Sequence, residues 1–158
     1  MEKTDFLVKL YKGRKIEIVQ PNKNVSEAYI QRANESLMSA KTLAKVGSLK
    51  DSVALSYYSM YHCLIALLFR VGIKSENHTG SIILLKEIFD LDNVKLLKAK
   101  SDRIDKQYYV DFNVSKLETE NAIKIAEEFI SELMQFTALL TEDKINNYNK
   151  KVVGILTR

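Results

Sequence analysis

Residues 56–70, "SYYSMYHCLIALLFR", decide the fold class of this chain. The stretch is an almost unbroken apolar and aromatic run into which serines, one histidine and a terminal arginine are set. Read at helical spacing it is apolar nearly all round, which is typical of a helix that is buried on several sides. The pattern starts near Leu49 to Ser52 and ends at Gly72, a residue suited to a left-handed helix cap. It therefore predicts the central helix of a helical bundle.

Small side chains follow one face of this helix: Ser52, Ser56, Ser59, Cys63 and Ala66. Such a row lets a second helix approach closely, either a neighbour in the same chain or the same helix of a second subunit. Tyr58 and His62 are four residues apart, so their rings should stack on one face. The pair is either a hydrogen-bonded part of the core or a ligand-contacting site.

The whole chain has the composition of a soluble globular domain. It has 158 residues, 46% of them hydrophobic and 28% charged, with five glycines and one proline, which favours a few long helices in one domain. The lone Cys63 excludes a disulfide framework within one chain and suits a reducing cytoplasm. No secretory signal is visible in "MEKTDFLVKLYKGRK", and polar residues interrupt the apolar run too often for a membrane span. We expect a cytoplasmic protein that does not enter a membrane.

Helix boundaries are indicated by two capping patterns. Asn24 followed by Glu27 has capping-box spacing and predicts the start of a helix that ends at Gly47. Ser115 followed by Glu118 predicts the start of a long final helix. Shorter helical patterns cover residues 81–89 and 94–109.

Together these patterns predict an all-α, antiparallel, four-to-five helix up-and-down bundle. The single domain, 1–158, would have a core at about 24–140, an N-terminal extension at 1–23 and a C-terminal tail at 141–158. The extension reads either as a helix over residues 4–11 followed by an extended run, or as a hairpin turning at Lys12 and Gly13. The tail loses its apolar stripe, so we expect it to fray or to contact a partner.

Three segments in order resemble the HEPN domain family, the higher-eukaryote and prokaryote nucleotide-binding domain. They are "YYSMYH" at 57–62, "LLFRVGIKSENHTG" at 67–80 and "RIDKQYYVDF" at 103–112, followed by a final helix with "AEEFISEL". The resemblance covers roughly residues 26–136 and is to the small stand-alone members. It implies a bundle that commonly forms homodimers and is paired with a small nucleotidyltransferase, often as toxin and antitoxin. It also implies that the chain could be a metal-independent endoribonuclease.

The resemblance singles out Arg70 and His78. Catalytic members carry an Arg and a His separated by about four to six residues, whereas here seven residues lie between them. His78 would act as general acid or base while Arg70 held the scissile phosphate. In the other interpretation, Arg70 meets the dipole at the end of its helix and His78 caps the next one.

Arg103, with Tyr108 and Tyr109, matches the family's arginine-then-aromatic pattern. Arg103 and Tyr108 could reach the central helix, where they would fix His62 or line a shared pocket, or simply support the core. Bases recur along the same helix: Lys95, Lys98, Lys100, Arg103 and Lys106. They could meet RNA or an acidic partner, which the mild net charge of +4 allows, or form a solvated face.

Neither a P-loop, a dinucleotide glycine fingerprint nor a metal-spaced set of histidines and carboxylates occurs in the sequence. We therefore expect no cofactor and no metal, and a nucleotide site would have to be built from aromatics and arginines. Whether the protein is an enzyme stays open. The hypotheses are a HEPN partner of a nucleotidyltransferase, a ribonuclease using Arg70 and His78, and a non-catalytic module that binds a nucleotide or a protein.

Overall fold

The computed structural model describes residues 2–108 and 113–158, with side chains for 2–104 and 113–158. Helices dominate this part of the chain, and two short strands form a small antiparallel ribbon. The elements, in chain order, are α1 (Lys3–Lys12), β1 (Ile16–Ile18), α2 (Lys23–Lys45), α3 (Leu49–Val71), β2 (Ile73–Ser75), α4 (His78–Phe89), α5 (Val94–Tyr108), α6 (Lys116–Ala138) and α7 (Glu142–Leu156).

Helix α3 lies at the centre, as predicted, because its residues are apolar on nearly every face. It packs against α2, α5 and α6. Contacts between Ser36 and His62, and between Ala40 and Ser52, show that α2 and α3 run in opposite directions. The predicted all-α bundle is confirmed, with α1, α4 and α7 added to it.

The row of small side chains on α3 is covered within the chain. The Ser52 hydroxyl donates a hydrogen bond of 2.6 Å to the Ala40 carbonyl oxygen on α2. The Cys63 sulfur lies 3.9 Å from the Ile130 carbonyl oxygen on α6. These short approaches are possible because no side chain in the row extends far from the backbone. Of the two interpretations of the row, a neighbouring helix of the same chain is therefore the observed one.

The apolarity of α3 is explained by this burial. By length and composition it could cross a membrane, but 78% of its most apolar window is buried inside the bundle. A core helix of a soluble protein has the same character, so the bundle itself accounts for the segment.

Three of the predicted helix ends are confirmed. Gly47 and Gly72 have φ angles of 81° and 89°, which is the left-handed conformation expected after α2 and α3. Ser115 and Glu118 form the predicted capping box at the start of α6.

The capping box predicted at Asn24 and Glu27 is wrong. Helix α2 instead begins after Asn22, whose side chain accepts a hydrogen bond of 3.0 Å from the Val25 amide. The Asn22 amide donates to the Phe69 carbonyl oxygen at 2.9 Å. This tertiary contact fixes Asn22 in an extended conformation and so sets the start of the helix two residues earlier than the sequence pattern suggested.

The N-terminal segment forms the predicted helix, α1, and not a hairpin at Lys12 and Gly13. The extended residues after it, β1, pair with β2 instead of folding back on α1. The register is Ile16 with Ser75, Glu17 with Lys74 and Ile18 with Ile73. The connection between α3 and α4 therefore contains a strand, where no helical or strand pattern is visible in the sequence. A strand of three residues gives almost no periodic signal of its own, so only its partner reveals it.

Of the two alternatives for residues 141–158, fraying is wrong. They form α7, which is capped by Thr141 and packs against α1, α3 and α4. Its buried residues are Ile145, Val152, Ile155 and Leu156. Asn149 donates a hydrogen bond of 2.9 Å to the Val71 carbonyl oxygen and so ties α7 to the end of α3.

Candidate functional site

A pocket of about 330 Å³ opens between α2, α3 and the connection from β2 to α4. Its lining combines both histidines of the chain with rings and charged groups: Tyr29, Arg32, Tyr61, His62, Ile65, Phe69, Lys74, Ser75, Glu76 and His78. We call it the histidine pocket.

His78 enters this pocket because it is the first residue of α4. The helix begins three residues earlier than predicted, since the Asn77 side chain accepts a hydrogen bond of 2.8 Å from the Gly80 amide. The His78 ring stacks on Tyr61 with a centroid distance of 3.9 Å and an interplanar angle of 12°. Its Nδ1 lies 2.7 Å from the Tyr57 hydroxyl oxygen. The imidazole is therefore held both by its face and by one edge.

His62 occupies the α2 side of the pocket. Its Nδ1 lies 3.4 Å from the Ser36 hydroxyl oxygen. Its ring lies against Tyr58, as the four-residue spacing predicted, with centroids 6.2 Å apart. Tyr29 is a further ring neighbour of His62 and stacks on Phe69 at 5.6 Å and 14°. The pocket thus has a flat aromatic wall beside His62.

Arg103 is brought from α5 to the central helix. Its Nη1 donates a hydrogen bond of 3.1 Å to the Tyr58 hydroxyl oxygen. Its guanidinium carbon lies 5.3 Å from the ring centroids of both Tyr57 and Tyr58, a cation–π arrangement. Of its two predicted companions, Tyr109 and the side chain of Tyr108 lie outside the described residues.

The surroundings keep both histidines uncharged at neutral pH. Burial, and then the positive charge of Arg32 and the neighbouring His78, lower the pKa of His62 to about 4. Burial is also the largest cause of the lowered pKa of His78, followed by Arg103 and Lys100. A neutral imidazole carries one N–H donor and one lone pair, so each ring can take part in proton transfer or hydrogen bonding.

Arg70 is placed apart from this arrangement. It lies in the last turn of α3, seven residues after Cys63, and so on the helix face that turns toward α6. Within the described part of the chain, the pocket lining includes His78 but not Arg70. The ring neighbours of His78 are Tyr57, Tyr58 and Tyr61. The arginine that lines the pocket with His78 is Arg32, from α2.

The basic residues of α5 divide between two places. Lys95 and Lys98 border a second groove of about 270 Å³ between α3, α5 and α6, where Asp102 and Glu118 also lie. Lys100 acts electrostatically on His78. The side chain of Lys106 lies outside the described residues. Among the described residues, no group of three or more histidine, cysteine or carboxylate side chains is arranged to hold a metal.

Sequence reasoning did not identify Tyr29, Arg32 or Phe69 as pocket residues, because they come from two helices whose relative rotation the sequence does not give. It also missed the contact between Tyr57 and His78. A signal for Tyr57 was present, since Tyr57 and Tyr61 repeat the four-residue spacing of Tyr58 and His62.

The fold and the site define an up-and-down helical protein with an aromatic pocket that contains two histidines. A family model described as the HEPN domain matches residues 26–136. The chain belongs to the HEPN domain family, as the sequence motifs predicted. Proteins of this family are often ribonucleases or connected with toxin–antitoxin systems.

Its similarity to known proteins extends to UPF0332 proteins of archaea and bacteria. One from Archaeoglobus fulgidus is 30% identical over 110 residues, 66% of this chain and 88% of the relative. One from Pyrococcus horikoshii is 43% identical over 56 residues, 35% of this chain and 39% of the relative. One from Gloeobacter violaceus is 38% identical over 55 residues, 35% of this chain and 44% of the relative. The chain thus spans less than half the length of the last two relatives.

Proposed function

We propose that this HEPN protein acts with a small nucleotidyltransferase, as the toxin or accessory half of a toxin–antitoxin-like pair, and that RNA or a nucleotide binds in its histidine pocket. Family membership supports the pairing, because the resemblance implies such a partner. The observation that carries the binding site is the pair of neutral histidines in one pocket beside Arg32.

The pocket has the parts that a nucleotide needs. Arg32 is exposed at its edge and offers a fork of donors that suits a phosphate. Tyr29 and Phe69 present the flat rings on which a base can stack. A volume of about 330 Å³ lies within the range of small-ligand sites.

Pairing is tested by co-expression. The tagged chain should co-purify with a small nucleotidyltransferase from its own genomic neighbourhood, and light scattering should show the expected homodimer. If the chain slows growth when expressed alone and the partner relieves this effect, it is the toxin. Co-purification without a growth effect makes it the accessory half. If no nucleotidyltransferase co-purifies, the pairing is refuted.

A second candidate function is metal-independent cleavage of RNA, which the two neutral histidines favour. In this reaction a base takes the proton of the 2′-hydroxyl as that oxygen attacks phosphorus. The 5′-oxygen then leaves with a proton, giving a 2′,3′-cyclic phosphate and a 5′-hydroxyl. His78 could serve together with Arg70, as the family signature implies, or with Arg32, which shares its pocket.

RNA cleavage in the presence of a chelator distinguishes these arrangements. We expect His62→Gln and His78→Gln each to lower the rate about 100-fold, since a positioned proton-transfer group contributes at least that factor. Comparing the cleavage rates of Arg32→Gln and Arg70→Gln identifies the arginine that holds the phosphate, because only its replacement should lower the rate as much as the histidine variants do. Arg32→Lys separates charge from fork geometry.

Equal cleavage rates for the unaltered protein and both histidine variants would refute the proposed ribonuclease function. Nucleotide binding, measured by calorimetry on the same variants, would then distinguish a non-catalytic binding module from a protein with no nucleotide site at all.

A further inference from the structure

The contact between Tyr57 and His78 fixes more than the position of the ring. Tyr57 is fully buried, at 0% exposed, and its hydroxyl oxygen lies 2.7 Å from His78 Nδ1. Among the side chains described, in 2–104 and 113–158, His78 is the hydrogen-bonding partner that the structure shows for this hydroxyl. The direction of this one hydrogen bond therefore decides which nitrogen of His78 carries the proton.

Burial requires Tyr57 to be the donor. It raises the pKa of Tyr57, so the phenol keeps its proton at neutral pH. If Nδ1–H donated to the phenol instead, the buried O–H would need another acceptor, and leaving it without one costs about 1–3 kcal/mol. With Tyr57 as donor, Nδ1 accepts, and a neutral imidazole must then carry its hydrogen on Nε2.

Arg103, which lies beside Tyr57 and Tyr58, also favours the uncharged state of His78. Its guanidinium carbon lies 5.3 Å from the Tyr57 ring centroid, and its hydrogen bond to Tyr58 holds it there. A fixed cation at this position disfavours a second proton on His78. Stacking on Tyr61 holds the plane of the imidazole beside the Tyr57 hydroxyl.

We propose that Tyr57 is a positioning residue that keeps His78 in the Nε2–H tautomer, so that His78 serves the histidine pocket as a neutral hydrogen-bond donor. The Nε2–H group would donate a hydrogen bond to the proposed RNA or nucleotide, whose phosphate and base oxygens are acceptors. In that setting His78 is not the base that removes a proton from substrate, and His62 is the imidazole left for that task.

The tautomer can be read directly by two-bond ¹H–¹⁵N NMR on the full chain labelled at histidine. In the unaltered protein at neutral pH, His78 should show the Nε2–H pattern. Tyr57→Phe keeps the ring and removes the donor, so its His78 should become a mixture of both tautomers. Tyr61→Phe is the matched control, because it preserves the stacked ring and the Tyr57 donor and should leave the pattern unchanged.

An Nδ1–H pattern in the unaltered protein would overturn the proposal, whether or not any variant folds. An unchanged Nε2–H pattern in folded Tyr57→Phe would also overturn the role of Tyr57.

Titration with a ribonucleotide separates this proposal from the proposed function. If His78 shows Nε2–H but neither nucleotide nor RNA binds, the proposed function fails and the positioning role stands. If nucleotide binds while His78 shows Nδ1–H, the positioning role fails instead. If both hold, Tyr57→Phe should weaken binding by up to about twofold, because a mixed tautomer population lowers the competent fraction toward one half.

Discussion

Four polar aromatic side chains fit within one and a half turns of α3 because each has a hydrogen-bonding partner on one of three neighbouring helices. The partners are His78 for Tyr57, Arg103 for Tyr58, Ser81 for Tyr61 and Ser36 for His62. A buried polar group that is hydrogen-bonded costs little, so the helix stays in the core while its hydroxyls and imidazole connect α2, α4 and α5. The four side chains therefore hold the bundle together, and two of them, Tyr61 and His62, also line the histidine pocket.

His62 should make the protein less stable in mild acid. Its pKa is about 4 in the folded chain and about 6.5 when exposed, so the unfolded chain binds the proton more readily between these values. The free energy of unfolding should be constant above about pH 6.5 and fall as the pH decreases below it. Allowing for the half-buried ring, the loss from His62 by pH 5 is about 1 to 2 kcal/mol.

Urea unfolding at about pH 7.5 and pH 5 measures this loss. His62→Gln cannot be protonated, so its loss between the two pH values should be smaller than that of the unaltered protein. Parallel losses in the two proteins would assign the acid sensitivity to other groups, of which His78, with its lowered pKa, is the first to test.

At the scale of elements, the two glycines that end α2 and α3 carry different constraints. Both glycines adopt the left-handed backbone conformation, yet a Cβ on Gly47 would have open space around it. A Cβ on Gly72 would lie 2.5 Å from the Val19 carbonyl oxygen and 2.8 Å from the Asn149 side-chain nitrogen. At Gly72 the end of α3 lies against the residue that follows β1 and against Asn149 of α7, so a side chain does not fit.

Gly72→Ala should therefore destabilise the chain more than Gly47→Ala. The left-handed conformation alone costs an alanine about 1–2 kcal/mol, and this is the whole expected effect at Gly47. At Gly72 the steric conflict with backbone adds to it, giving about 3 kcal/mol or more. Thermal unfolding of the two variants measures the difference. Equal losses would show that the backbone around Gly72 yields easily.

The elements predicted best are those whose signal is local. The apolarity of α3, the glycines after α2 and α3 and the capping box of α6 depend on residues close in sequence. The pairing of β1 with β2 and the contact of Tyr57 with His78 depend on residues brought together only by the folded chain. For the same reason, the spacing of Tyr58 and His62 on one helix predicted their contact, whereas nothing local predicted that Arg32 of α2 would line the same pocket as His78.

At the scale of the whole molecule, the two ends of the described chain close the bundle together. Helix α7 packs against α1, α3 and α4, and the Lys151 side chain donates a hydrogen bond of 3.0 Å to the Ile88 carbonyl oxygen. The periodicity of Ile145, Val152 and Leu156 was present in the sequence, but the many polar residues between them concealed it. Helix α7 is therefore part of the core and not an appended tail.

Leu156→Ala tests this conclusion. Leu156 is 1% exposed, so its truncation should cost about 2–5 kcal/mol by leaving a cavity. Leu139→Ala is the matched control, because Leu139 is 65% exposed and its truncation should change the free energy of unfolding by about 0.5 kcal/mol or less. Chemical denaturation of both variants measures the contrast. Similar small effects would mean that α7 detaches readily.

The ribbon of β1 and β2 makes the N-terminal residues a support of the histidine pocket, although none of those described lines it. β2 supplies Lys74 and Ser75 to the pocket, and β1 is its partner in the ribbon. The family match begins at residue 26, after β1. A fragment trimmed to the matched residues would therefore keep the helices that bear His62 and His78 but lose β1, the strand that pairs with the pocket-lining strand β2.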